Sequence, residues 1–317
     1  MFYLQFRAPK DECILSSSVE LPRGIPEAKA SNTNSIRLMT GLFIHLFAIT
    51  ACWNSGLENV VSIPQRSNQA VGGAAFIAST YQLGEPAREE AIFQQVAAGN
   101  IPDFLHQLKP ITIQAKTKSG RQVSATYYVL SDYLAIGSSK DYVRIPMNPI
   151  TAQRIANRLG MLLPTTKIVD DVYNHAQVKL SPAPLPPSSK MTTSPYFWKH
   201  NQLVQKQFAR YTLGQLVAGH KKDVVISNRL SEKRGRVAIY GWHRTSGRPI
   251  QPLSLAHHDR YADYSHGVRL VGPQMKIGNT TYEVADVLRD PELAPILSKE
   301  GVIRDIKIRI PINTAGL

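Results

Sequence analysis

Along the chain the spacing of apolar residues changes several times, and each change predicts an element. From Pro86 it is helical: EPAREEAIFQQVAAG places Ile92, Phe93 and Val96 at helical spacing, with acids near its start and Gly99 at its end. PDFLHQL predicts a second, short helix. The period then drops to two in ITIQAKTKSGRQVSATYYV, whose alternation on either side of Ser119-Gly120 predicts a hairpin, and DYLAIG reads as the next strand. Helical spacing returns in NPITAQRIANRLGMLLP through Ile150, Ile155, Ala156 and Leu159. Asn148 stands there as cap, Pro149 at the first helical position and Gly160 after the last turn. TKIVDDVYNHAQ continues as another helix.

SPAPLPPSSK, residues 181–190, breaks this series. Its four prolines remove backbone donors and fix φ, so it reads as an extended surface crossing or strap. Beyond it come a helix around HNQLVQKQFARY, strands at DVVIS and RVAIYGW, a histidine-rich stretch, and the closing alternation VIRDIKIRIPI. Helices and strands mix without regular strand–helix alternation. That predicts an α+β fold, with mixed helices and mainly antiparallel strands in one globular body over 86–317. No internal repeat and no phosphate-binding glycine loop is present.

The N-terminal part reads differently. No apolar run reaches the 18 residues that would span a bilayer, but MTGLFIHLFAITAC, residues 39–52, has the length of a signal-peptide hydrophobic region, with Arg37 as flanking charge. Its end, Ile49-Thr50-Ala51-Cys52, resembles the lipobox of bacterial lipoproteins. The resemblance implies cleavage before Cys52, lipidation of its thiol, and export to a membrane-anchored place in the bacterial envelope. On this reading residues 1–38 are an over-extended start, and 53–85, beginning WNSGLENVVSIPQRSNQAVGG, form a polar tether. The alternative is a buried helix with an incidental cysteine.

With 43% hydrophobic and 19% charged residues, the composition excludes a low-complexity or highly charged disordered chain. Against 23 acids stand 37 Lys and Arg, a net charge of +14 that favours polyanionic surroundings such as lipid headgroups, nucleic acid or an acidic envelope polymer. Nucleic acid is the least favoured partner, since no zinc-knuckle, basic-aromatic or helix–turn–helix pattern is found. It would require Lys199, Lys206, Arg210, Lys221, Lys222, Lys233, Arg234 and Arg236 to share one face. Cys13 and Cys52 are the only cysteines, which leaves residues 86–317 without a disulfide or thiolate metal site.

The candidate chemistry lies between 220 and 269. His220, His243, His257, His258 and His266 fall there with Asp223, Asp259, Asp263, Ser265 and Arg269. Histidine titrates near neutrality and ligates metals, so its clustering with aspartates suits proton transfer or zinc binding. On an extended strand His257 and His258 point to opposite faces, so only one of them reaches a shared site. Lys221 and Lys222 read as a solvated basic patch, or as binders of an anionic group beside Asp223. Trp242, Tyr261 and Tyr264 are read either as stacking surfaces for sugar rings or as core.

Ser265-His266-Gly267-Val268-Arg269-Leu270 resembles the SHGCxR signature of bacterial L,D-transpeptidases, envelope enzymes that crosslink peptidoglycan, and His243 in IYGWH is loosely similar to that family's second histidine. The family's nucleophilic cysteine is replaced by Val268, so a thiol acyl-enzyme is excluded there. Two chemistries remain. A zinc site of His243, His257 or His258, Asp263 and His266 would activate water for amide hydrolysis, and GWH distantly resembles the tryptophan–histidine end of zinc D,D-peptidases. A metal-free site would use His266 or His243 as base, oriented by Asp263, with Ser265 as nucleophile. Lys222, Trp242, Tyr264 and Arg269 would bind the substrate, an anionic or peptidoglycan-like polymer. The expectation is therefore an envelope hydrolase with a His/Asp-rich cleft. The alternative is a non-catalytic envelope-binding or structural lipoprotein whose histidines and aspartates form a hydrogen-bonded loop scaffold.

Overall fold

Packed chain begins well before Pro86 in the computed structural model, which describes residues 63–311. Residues 1–38, the signal-like run 39–52 with Cys52, and the first part of the expected tether lie outside the described residues. The later part of that tether is not a tether: Ile63, Phe76 and Ile77 are buried in the main core, and Gly73–Ser79 form helix α1. Arg66 pins this stretch by donating from Nε to Asn100 at 2.9 Å. Ile63 stands alone, and Phe76-Ile77 lie in a short run of small residues, AVGGAAFIA, that gives no repeat to register as a periodic pattern.

Helix α2, Glu85–Ala97, follows with Ile92 and Val96 inward. PDFLHQL contributes only a 3-10 turn, Asp103–Leu105. Strands β1, Lys109–Lys116, and β2, Gln122–Val129, form the expected hairpin in continuous antiparallel register from Lys109 opposite Val129 to Lys116 opposite Gln122. β3, Ala135–Gly137, pairs with β4, Tyr142–Arg144. α3, Pro149–Arg158, is capped as its sequence implies: Asn148 Oδ1 accepts from the Thr151 N–H at 2.8 Å. α4, Thr166–His175, and β5, Val178–Lys179, lead into the proline-rich strap. After the strap come α5 (Ser194–Phe208), β6 (Val217–Ala218), β7 (Lys222–Val224), α6 (Arg229–Glu232), β8 (Ile239–His243) and β9 (Pro249–Ser254). The last elements are β10 (His266–Gly267), β11 (Val271–Ile277), β12 (Thr280–Glu283) and α7 (Val284–Arg289).

Two four-stranded sheets organise the body, in the orders β1-β2-β11-β12 and β10-β7-β8-β9. Pairing is mainly antiparallel, with β10–β7 and β5–β6 parallel, so the fold is α+β. One expected strand is missing, since residues 301–311 join no sheet. Ile303 and Ile306 turn into the core instead, so that alternation served packing without a partner strand. The strap runs extended, and Tyr264 fastens it: its hydroxyl donates to the Leu185 carbonyl at 3.1 Å and accepts from the Leu185 N–H at 2.8 Å. No helix among the described residues is long and apolar enough to cross a membrane.

Candidate functional site

The second sheet places the chemistry. Parallel pairing sets His266 of β10 beside Lys222 of β7, and antiparallel pairing sets Lys222 opposite Gly241 of β8. In a regular strand Trp242 and Tyr240 would share a face and His243 would lie on the other. Gly241 (φ +102°) and Trp242 (φ 54°) break this alternation, just after a register shift against β9 between Ile239 and Gly241. Trp242 is the only non-glycine residue with positive φ among the described residues. A bulky side chain in that region is strained, and such strain is held in place where the surroundings determine it. As a result Trp242 turns toward Lys222, whose ammonium lies 5.1 Å from the indole centroid, while His243 turns to the Tyr240 side.

On the Trp242 side Asp263 is the hub. Its Oδ1 accepts from the Ser265 N–H at 2.7 Å and from the Ser265 hydroxyl, and its Oδ2 accepts from the Tyr261 hydroxyl at 3.2 Å. Despite burial, the His266 ring and these donors hold the Asp263 carboxyl below its ordinary pKa. His266 is wholly buried, and among the described residues neither ring nitrogen has a hydrogen-bond partner. Burial pushes its pKa down to about 4 against the pull of Asp263, so the imidazole is neutral at pH 7 beside an ionised carboxylate. Tyr261 packs edge-on to His266 at 5.7 Å, and the partly exposed His257 stacks on Tyr261 at 3.9 Å to form the outer wall.

Lys221, expected in a solvated patch, is 1% exposed. Its ammonium donates to the Tyr264 carbonyl at 2.6 Å. Burial brings its pKa down to about 7, and the Arg144 charge presses the same way. His200 of α5 lies 5.0 Å from the Tyr264 ring and 6.5 Å from the Trp242 ring, with both ring nitrogens unpartnered; the Trp242 indole N–H is unpartnered as well. Deeper still, Asp132 accepts from Arg144 Nε at 2.9 Å and pairs with His220 Nε2 at 3.1 Å. Burial alone would raise the Asp132 pKa, but Arg144 and His220 hold it well below the carboxylate range.

His243 belongs to a separate cluster. Its Nε2 is 2.9 Å from Asp170 Oδ1 on α4, its ring stacks on Tyr173 at 4.5 Å, and Tyr240 and Lys299 donate to the same carboxylate. The expected metal set of His243, His257, Asp263 and His266 is therefore not assembled. His243 is committed to Asp170 and His257 to its stack on Tyr261, and among the described residues no group of three or more His, Cys, Asp or Glu is placed to hold a metal ion. Nor do Asp263, Ser265 and His266 form a triad, because the Ser265 hydroxyl is bonded to the aspartate.

Two expected substrate contacts are structural. Arg269 is buried, donates to the Leu130 carbonyl at 2.6 Å and to the Val217 carbonyl, and lies 4.6 Å from the Tyr133 ring centroid, so its guanidinium is already committed. Tyr264 is engaged with the strap. Val268, at the position of the transpeptidase cysteine, is wholly buried. The basic face required for nucleic acid is broken by the burial of Lys221.

Sequence reasoning missed His200, Asp132, Arg144 and Asp170, which come from distant segments with no motif between them. For Lys221 a signal existed. Lys221 precedes the first strand residue Lys222, and in a strand that enters the sheet between β8 and β10 two successive lysines cannot both face solvent. No protein-family model, curated protein or solved structure matches this chain.

Proposed function

We propose that the chain is an exported, lipid-tethered protein of a bacterial envelope that hydrolyses a cell-wall or extracellular polymer at a metal-free Asp263–His266 centre. The observation that supports catalysis is the neutral His266 ring with both nitrogens unpartnered, between an ionised Asp263 and Lys221. A scaffold histidine this deeply buried would have its nitrogens bonded. In the reaction His266 takes a proton from water as the water attacks the scissile carbonyl or acetal carbon, and Asp263 stabilises the imidazolium that forms. His266 then returns the proton to the leaving group. Lys222 and the outer wall of Tyr261 and His257 hold the polymer.

The complete burial of His266 favours a second reading, a non-catalytic envelope-binding lipoprotein. Incubating the purified chain with purified envelope polymer and following soluble products by mass spectrometry separates the two. Product formation lost in His266→Ala and Asp263→Asn supports the hydrolase. Sedimentation with the polymer without product, unchanged by those substitutions, supports the binding protein and sinks the first reading. Metabolic labelling with a lipid analogue, lost in Cys52→Ser, tests the tether.

A further inference from the structure

We propose that Lys221, Trp242 and His200 form a recognition site for a carboxylate group. The inference rests on their unmet hydrogen-bonding capacity and holds whether or not His266 is catalytic.

The three residues come from three places, the entry of β7, the strained bend of β8 and the middle of α5, and all are nine-tenths or more buried. Tyr264 joins them. Its carbonyl accepts from Lys221, and its ring contacts both His200 and Trp242. The indole N–H is a donor only, and an ammonium with one bond made keeps two further donors. A neutral His200 adds one donor and one acceptor in either tautomer, both unused. Donors therefore outnumber acceptors in this cluster. Buried donors left unmatched cost about 1–3 kcal/mol each, so a group rich in acceptor oxygens is strongly favoured there.

The protein's own carboxylates do not meet this demand. Asp132 is taken up by Arg144, His220 and the Tyr133 N–H, and Asp263 by Ser265 and Tyr261. The ligand this cluster favours is therefore acceptor-rich, and a negative charge adds to the pull that Asp263 and Asp132 exert on Lys221. A carboxylate brings two oxygens and one charge. A phosphate would bring more charge than the buried Lys221 balances, since Arg144 is already paired with Asp132. The strained φ of Trp242 supports a recognition role, because it breaks the strand's alternation and the indole ring lies 6.5 Å from both the His200 and the Tyr264 rings. Trp242 also borders the surface, where the partly exposed Lys222 lies over its ring and marks the approach.

Calorimetric titration of the purified chain with acetate, acetamide and inorganic phosphate tests the site, with Lys221→Met and Trp242→Phe as variants and circular dichroism to verify folding. Acetate should bind saturably, acetamide at least about tenfold more weakly, and phosphate more weakly than acetate. Lys221→Met should abolish acetate binding, and Trp242→Phe should weaken it several-fold and carries the test alone if Lys221→Met does not fold. No saturable acetate binding by the folded wild type, phosphate binding equal to acetate, or unchanged affinity in both variants would overturn the proposal. Titration with an N-acetylated amino acid identifies the source: tighter binding than acetate marks a peptide terminus, and equal binding a free small acid. Acetate is not hydrolysed, so the result is independent of the catalytic reading.

Discussion

Trp242 and His243 are neighbours in the chain but serve opposite sides of strand β8, one facing Lys222 and the other hydrogen-bonded to Asp170. Gly241 helps to decide which side each one takes, since His243 ends on the Tyr240 side and not opposite it. At φ +102° the glycine lies where an L side chain is strained, and an added Cβ would stand 3.2 Å from Val169 Cγ1 and 3.4 Å from the His243 ring. Gly241→Ala should destabilise the fold by about 1–3 kcal/mol, read from urea unfolding. It should also disturb both clusters at once, because the added Cβ would press on the His243 ring and on the backbone that leads into Trp242.

Much of the fold was legible because its signals are local. The Ser119-Gly120 hairpin and the Asn148 cap each lie within one short segment, and both formed as their residues imply. Legibility failed where an outcome depended on distant partners. The alternation through Ile303 and Ile306 met no free strand edge, and Ile63, Phe76 and Ile77 were too widely spaced to suggest a packed start. In the site, Asp263, Ser265 and His266 could be read from one stretch. His200, Asp132 and Asp170 could not, since only the tertiary fold brings them near, and proximity in sequence grouped His243 with His266 although it bonds Asp170.

Ser265 distinguishes nucleophilic from general-base chemistry. Its hydroxyl is bonded to Asp263 and not to His266. Ser265→Ala should therefore change kcat by less than about tenfold, whereas His266→Ala should lower it by roughly 10²–10⁴-fold. A Ser265→Ala enzyme as inactive as His266→Ala would restore the serine-nucleophile mechanism.

Arg269 should behave as a structural residue. Replacing it with Ala removes two charged hydrogen bonds to buried carbonyls and a cation–π contact with Tyr133, at a cost of about 3 kcal/mol or more. Thermal melting should show that loss. Acetate affinity of the folded fraction should stay within about threefold of wild type, a result that a substrate-binding arginine would not give.

Acid and neutral pH should act on stability with opposite sign through two buried groups. His266 falls from 6.5 to about 4 on folding, so its contribution is fully present above pH 6.5 and is lost as pH drops toward 4. Glu89 is raised by burial from 4.5 to about 7, so its contribution is fully present below pH 4.5 and is lost as pH climbs through 7. Urea midpoints measured across pH 4–8 should show a shallower acid-side slope in His266→Gln, with His220 and His200 supplying the rest, and a gain in stability at the neutral end in Glu89→Gln. The same pH profile in both variants as in wild type would contradict these assignments.

Lys221 should show a conflict between recognition and stability. An amine with a pKa of 10.5 unfolded and about 7 folded is depressed by burial, so its contribution is fully present above pH 10.5 and is lost as pH falls toward 7. At neutral pH the fold therefore bears most of the cost of holding this group. Met is close in size and carries no charge to desolvate, so Lys221→Met should unfold at a higher urea concentration than wild type at pH 7, the difference shrinking as pH rises toward 10. The same variant should not bind acetate. Higher stability together with lost acetate binding would assign the ammonium to the proposed ligand and not to the fold. Lower stability at pH 7 in Lys221→Met would instead identify the Tyr264 carbonyl bond as the reason the lysine is there.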